Sequence, residues 1–403
     1  MTGIRAQEEP ASLFDPLVLR GVTLPHRVSV SPMCMYASED GFANDFHLVH
    51  LGRFALGGGG LIVMESTAIA PQGRISHHDV GIWSDEHIAP LRRVTEFITA
   101  HGGVPAVQLA HAGRKAAMRV PWRGGTPLEP NDAEAGYAPW PLVAPSAIPP
   151  TASWPVPAAL DAAGIAASIR DWAAAARRAV QAGFRVIELH GGHGYLLHSF
   201  LSPLSNQRAD EYGGDAERRA RYPLEVVRAV REAIDDEVPL SYRVSAVDGA
   251  AGGLTIGDTV AFAVLLAENG VDLIDTSSGG ISADRSVDTR VRRGYGYHAE
   301  LSRAIRDAVD IPVSVVGLIV DAEQADRLIA GGDADVVRLG REMLDDPNWV
   351  LHARRRLDAD EFSHWESRYG GFLELRAKGM ATLAAEGETP LSRFGVDAVD
   401  PRP

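Results

Sequence analysis

Eight short runs of apolar, largely β-branched residues recur along the chain, at 27–33, 60–66, 104–111, 184–191, 239–246, 271–279, 311–317 and 334–340. Their interiors, such as "GLIVM" and "PVSVV", are apolar almost without a break, as parallel strands with a covered outer face are. Between them, apolar residues fall at helical spacing over 47–57, 84–102, 166–183, 216–236, 255–270, 297–310 and 321–331. Ser84-Asp85-Glu86 and Asp321-Ala322-Glu323 supply helix starts, and Gly102, Gly183, Gly270 and Gly331 supply stops. An eighth helix follows Asp345-Asp346-Pro347 and runs through Leu357.

Eight strand–helix units in unbroken alternation predict an α/β fold closed into a (β/α)8 TIM barrel rather than an open doubly wound sheet. A dinucleotide-binding sheet needs its glycine fingerprint after the first strand, and in "GGGGLIV" the glycines come before the strand. Two segments stand outside the pattern. Residues 119–157, rich in Pro, Gly and Trp, form a long insertion after the third strand, on the barrel face where substrate contacts are built. Trp122, Tyr137, Trp140 and Trp154 argue against a disordered insertion, because such side chains are costly to leave in water. The barrel is therefore assigned to residues 1–357. Residues 358–403 form a tail, with a helix expected at 365–385 and a disordered end.

Composition narrows the function classes. The 403 residues are 45% hydrophobic and 23% charged, with a formal net charge of −14. An acidic chain is a poor start for binding a phosphate backbone, so no nucleic-acid partner is expected. No apolar stretch is long enough to span a bilayer, and residues 1–10 lack the apolar core of a signal peptide. The cytoplasm is the default location. The single cysteine, Cys34, excludes an internal disulfide and an iron–sulfur cluster.

Polar residues at the C-terminal ends of barrel strands read as functional. Strand one ends in Ser31-Pro32-Met33-Cys34-Met35-Tyr36, strand three carries Gln108, and strand four runs into His190-Gly191-Gly192-His193-Gly194-Tyr195. Strand five carries Arg243, which inside a barrel must be paired or face an anionic ligand. Glu188, Glu65 and Asp275 are its candidate partners in the chain. Gly317 and Gly340-Arg341 end strands seven and eight. These glycines either make tight turns or open the backbone to a phosphate. His190 and His193 also suggest a metal-dependent barrel hydrolase or isomerase, with Glu188 as a third ligand.

The stretches "SPMCMYAS", "PQGRISHHDVGIWSDEHI", "QLAHAGRKA", "VIELHGGHGYLLHSFLSPLSNQRADEYGG", "RVSA", "GVDLIDTSSGG" and "LGREMLDDP" occur in this order within about residues 12–350. In these the chain resembles the Old Yellow Enzyme family of FMN-dependent ene-reductases, in its xenobiotic reductase-like bacterial branch of NADPH dehydrogenase type. The resemblance implies FMN as cofactor, NAD(P)H as co-substrate and a small α,β-unsaturated carbonyl or nitroalkene as substrate. It implies Ser31, Pro32, Met33, Cys34 and Ser66 lining the flavin, Gln108 at its pyrimidine edge, Arg243 at N1 and O2, and Gly317, Gly340 and Arg341 at the phosphate. His190 and His193 then hold the substrate oxygen, Tyr36 assists, and Tyr195 donates a proton. A homo-oligomer, dimer or tetramer, is implied, and the same chemistry can run in reverse as a desaturation. The chain departs from the family pattern at Ser66, where Ala or Gly is usual, at Gly192, where Ala is usual, and at Arg338, where a small or apolar residue is usual. Its tail also lacks the arginine-bearing segment with which relatives in this branch reach a neighbouring subunit.

Overall fold

Each apolar run forms a strand, shorter than the run except at 60–66, where the strand extends to Ala68. The strands are β1 Val28–Val30, β2 Leu61–Ala68, β3 Val104–Ala110, β4 Val186–Gly191, β5 Leu240–Ser245, β6 Leu273–Ser277, β7 Val313–Val316 and β8 Val336–Leu339. In this computed structural model, which describes residues 11–283, 292–357 and 361–390, they close into one parallel barrel in chain order. Closure comes from β8 on β1, with Val337 opposite Val28. Helices α1 Asp45–Leu56, α2 Ile88–Ala100, α3 Ala162–Gln181, α4 Ala216–Ala233, α5 Ile256–Glu268, α6 Ala299–Arg306, α7 Ala322–Ala330 and α8 Trp349–Leu357 follow the strands in turn.

The apolar runs look continuous because both strand faces are buried for different reasons. Ile62, Met64, Val107, Leu109, Ile187 and Leu189 belong to the large core shared with the helices. The alternate residues Leu61, Val63, Ala106, Val186, Leu273 and Val336 form a second core inside the barrel, as the period of two requires. Leu19, Val22 and Leu24 complete that inner core. They come from a hairpin, Leu17–Leu19 against Val22–Leu24, whose three-residue strands are too short to show as a periodicity. Above this apolar plug the inward positions turn polar, with Ser29, Glu188, Ser241, Asp275, Ser314 and Arg338 all buried.

Asp321 caps α7 by accepting from the Gln324 amide at 2.7 Å. Ser84 opens a 3-10 turn at Asp85–His87 that leads into α2. The insertion is ordered locally: Arg119 pairs with Asp132 at 2.7 Å and Glu129 at 3.1 Å, and Val143–Ala144 pairs in parallel with Ala158–Ala159. Tyr137, Trp140 and Trp154 pack on a cluster that includes Met118 and Leu128. Trp122 differs from the expectation: it is 68% exposed, with its ring in a T-shaped contact with Tyr36 at 5.8 Å.

In the tail, α9 Ser367–Ala385 forms close to the expected span. It buries only Gly370 and leaves Tyr369, Phe372, Leu375, Met380 and Leu383 exposed. The expected disordered end includes residues 391–403, outside the described residues. No helix among the described residues is long and apolar enough to cross a membrane.

Candidate active site

The turn after β4 carries the densest chemistry. His193 has a φ of 57° and Gly194 one of 76°, so the chain reverses tightly over the barrel mouth. A Cβ at 194 would lie 2.2 Å from the Gly280 carbonyl oxygen, which is why the turn closes only on glycine. Three groups pin it in place. Lys115 Nζ donates to the carbonyls of His193 and Gly280, both at 2.9 Å. Ser245 Oγ accepts from the His193 amide at 2.9 Å and donates to the Gly279 carbonyl at 2.8 Å. His198 Nδ1 accepts from the Gly194 amide at 2.8 Å, and its other nitrogen donates to buried Asp248 at 2.8 Å.

The hydrogen bonds assign the imidazole tautomers. His190 Nδ1 accepts from the Gly192 amide at 3.3 Å, so its proton sits on Nε2. That N–H donates to His193 Nδ1 at 3.2 Å. The His193 proton is then on Nε2 and donates to Ser277 Oγ at 2.8 Å. Burial, and after it the positive charge of Arg243, holds both imidazoles well below the ordinary histidine pKa. Both are neutral donors at pH 7. Tyr195 stands edge-on to His190, with ring centres 4.9 Å apart. Burial pushes the Tyr195 and Tyr36 hydroxyls above the ordinary tyrosine range, so both keep their protons. Burial, then Glu65 and Asp79, likewise raises the Cys34 thiol, which makes it a poor nucleophile.

The floor is built from inward positions of neighbouring strands. A register shift between Met64 and Ser66 sets Ser66 opposite Gln108, so one extra residue brings Ser66 to the inward position beside it. Gln108 Nε2 donates to Glu188 at 2.9 Å. Arg243 lies opposite His190 on β4 and opposite Asp275 on β6. Its Nε is 3.0 Å from Asp275 Oδ2, so Asp275 is the partner among the three candidates. Glu65 instead accepts from the Met35 amide at 2.8 Å. Arg338 is fully inside the barrel between Glu188 at 2.6 Å and Asp275 at 3.3 Å.

At the rim, Gly340 lies against Met33 and Ser31. Beside it lies a cleft lined by Gly317, Leu318, Arg338, Gly340 and Arg341, among others. Gly317 has a φ of 130°, and a Cβ there would sit 2.9 Å from the Tyr297 ring. His298 supports that rim through Ser278 and the Val316 carbonyl, both at 2.7 Å.

The expected residues thus gather in two adjoining groups. One is His190, His193, Tyr195, Gln108, Ser66 and Arg243; the other is Ser31, Met33, Gly317, Gly340 and Arg341, with Pro32 between Ser31 and Met33. Ser31 Oγ is buried without a hydrogen-bond partner among the described residues, and Arg243 brings a buried positive charge paired with Asp275. A buried unpaired hydroxyl, a nearby cation and a cleft rimmed by glycines suit a planar, acceptor-rich group with a phosphate end, which is what FMN is. Sequence reasoning missed Ser245, Ser277, Lys115, His198, Asp248 and His298. Ser245 and Ser277 were within reach, since each lies two residues beyond a charged inward position. Lys115 and His198 act on backbone atoms, which leave no pattern in a sequence. Among the described residues no group of three or more His, Cys, Asp or Glu is placed to hold a metal. Glu188, the candidate third ligand, faces Arg338, Gln108 and Ser241.

Residues 12–360 match the family described as the NADH:flavin oxidoreductase / NADH oxidase family. The chain is 44% identical over 347 residues to an NADPH dehydrogenase of Bacillus cytotoxicus, covering 86% of this chain and 92% of that one. It is 40% identical over 350 residues to an NADPH dehydrogenase of Bacillus subtilis, covering 86% and 96%. A solved morphinone reductase superposes with a TM-score of 0.71 at 26% identity, covering 87% of this chain and 91% of that one. A 2-naphthoyl-CoA reductase complex reaches 0.75 at 22% identity, covering 88% and 53%, a likeness of fold.

Proposed function

Because the chain belongs to the NADH:flavin oxidoreductase / NADH oxidase family, we propose that its flavin chemistry is ene-reduction, the saturation of an activated C=C bond. The coarser activity is established by that membership: the protein is an FMN-dependent, NAD(P)H-consuming oxidoreductase. FMN, when bound, supplies hydride exchange between the nicotinamide and the second substrate. Ser31, Pro32, Met33, Cys34, Ser66 and Gln108 would hold its ring system, and Gly317, Gly340 and Arg341 its phosphate. Arg243 would bring a positive charge to the pyrimidine side, where negative charge accumulates.

The observation that carries the proposal is the convergence of two neutral imidazoles and a protonated phenol on one turn above Arg243. A substrate carbonyl or nitro oxygen takes the Nε2–H of His190 or His193 in place of its present acceptor. The donors are already oriented, so they stabilise the developing enolate without reorganising. Tyr195 retains its proton at neutral pH and delivers it to the carbon next to the carbonyl; Tyr36 helps hold the oxygen. The insertion at 119–157 borders the site through the cluster that joins Met118 and Leu128 to Cys34, Tyr36 and Tyr195, and shapes substrate access. Anaerobic mixing of NADPH-reduced enzyme with 2-cyclohexenone and with a nitroalkene tests the reading. Rapid return of the oxidised flavin absorbance with formation of the saturated product is expected. Absence of saturated product from every enone and nitroalkene tried overturns it.

A further inference from the structure

Arg338 is among the largest side chains with no solvent access in the molecule, and the ene-reduction chemistry does not use it. Its guanidinium joins two buried carboxylates of the candidate flavin floor, and Arg338 also borders the cleft at Gly317 and Gly340. Nη2 lies 2.6 Å from Glu188 Oε2, and Nε 3.3 Å from Asp275 Oδ1. Each carboxylate has a second task in the floor. Glu188 Oε1 accepts from Gln108 Nε2 at 2.9 Å, and Asp275 Oδ2 lies 3.0 Å from Arg243 Nε. Ser241 and Ser314 complete the layer, donating to Glu188 at 2.9 Å and to Asp275 at 2.8 Å.

The layer therefore reads Gln108, Glu188, Arg338, Asp275, Arg243, a chain of alternating charges with a ring ligand at each end. We propose that Arg338 is a positioning residue that balances Glu188 and Asp275 and so sets how Gln108 and Arg243 meet the flavin, and with it the flavin's reduction potential. This rests on the assignment of Gln108 and Arg243 to the flavin. The physical argument is a charge count. With Arg338 present, two carboxylates face two guanidiniums. Without it, two buried carboxylates share Arg243 alone, and one excess negative charge lies beneath a group that becomes more negative on reduction. Buried charges are weakly screened, so the imbalance is felt at the ring. Asp275 can also swing toward the vacated space and draw Arg243 with it. Burial opposes the charge on Arg338, yet Asp275 and then Glu188 hold its pKa above the ordinary arginine value, so the positive charge is permanent.

Opposite-signed variants distinguish this role from packing. Arg338→Met removes the charge at similar volume, and the potential is expected to fall by about 30 mV or more, a tenfold change in the two-electron equilibrium. Glu188→Gln leaves an excess positive charge and is expected to raise the potential. The double variant restores the balance and is expected to return toward the parent value. Arg338→Lys, which keeps the charge but loses the fork, is expected to stay closer to the parent than Arg338→Met does. Potentials are read against a reference dye, and FMN affinity by titrating the apoprotein through flavin fluorescence. Arg338→Met is expected to weaken that affinity. Folded variants with unchanged potential overturn the proposal. If Arg338→Met does not fold, Glu188→Gln decides alone: no shift, or a fall, overturns it. Failure of the parent apoprotein to take up FMN instead overturns the flavin assignment itself.

Discussion

At the scale of single residues, the proposed reaction separates groups that would donate a hydrogen bond from the one that would donate a proton. His190 and His193 are held neutral by burial beside Arg243, so in the proposed reaction they would act by polarising an oxygen. His190→Ala is expected to weaken binding of phenol-like ligands, whose anionic oxygen mimics an enolate. A lost charge-assisted hydrogen bond costs roughly 1.5–3 kcal/mol, about ten- to a hundredfold in affinity, and the charge-transfer absorbance of a phenol titration measures it. Tyr195→Phe removes the proton but keeps the ring against His190. Stopped-flow absorbance is expected to show flavin reduction by NADPH nearly unchanged. Reoxidation by an enone should slow by about a hundredfold or more, and by less with a nitroalkene, which tolerates hydride addition without a concerted proton. Equal slowing of both halves would assign the tyrosine to ring or nicotinamide placement. The three residues were legible in the motif of residues 190–195. Their protonation states were not, because those depend on burial and on Arg243 arriving from another strand.

At the scale of elements, the N-terminal hairpin and the β2 register shift show how much position matters. The hairpin brings Leu19, Val22 and Leu24 under the barrel, and Leu24 has no exposure at all. Leu24→Ala leaves a cavity at the plug and is expected to cost about 2–5 kcal/mol, measured by urea denaturation. The site lies at the opposite end, so the flavin spectrum of the folded variant should match the parent; a changed spectrum would mean that the plug transmits strain through the polar layer. All eight barrel strands were visible as apolar runs, and the helices as periodic stretches between them. The hairpin was not, since three residues carry too little pattern. The register shift that turns Ser66 toward Gln108 was equally hidden, because Ser66 reads as one polar residue at a strand end until its partner strand is known.

At the scale of the whole molecule, buried imidazoles set the response to acid. Burial lowers the pKa of His26, His111 and His298 to about 4 each. The unfolded chain protonates these histidines below about 6.5, whereas the folded chain resists until about 4. Stability is therefore lost as pH falls through that window, by about 1.4 kcal/mol per pH unit for each such histidine. Asp79 works in the other direction. Burial raises its pKa to about 7, so it favours the folded state at low pH and loses that contribution as pH rises toward 7. Three histidines outweigh one carboxyl, and Tm is expected to drop between pH 6.5 and 4.5. A flat Tm over that range would contradict the neutral burial of these rings.

The sequence alone determined the barrel, since eight alternations of a short continuous apolar run and a period-3.6 pattern admit few other closures, and it placed the expected chemistry at the strand ends. Local spacing carries that information, because a strand's inward face and its C-terminal end are properties of a single segment. What only the tertiary structure decided are the pairings between segments. Asp275 rather than Glu65 sits beside Arg243, Glu188 pairs with Arg338, and Lys115 and His198 fasten the His193–Gly194 turn. Each of these joins residues brought together by the closing of the barrel. The energy of a buried charge depends on which partner lies within a few ångströms, a distance that spacing along the chain does not contain.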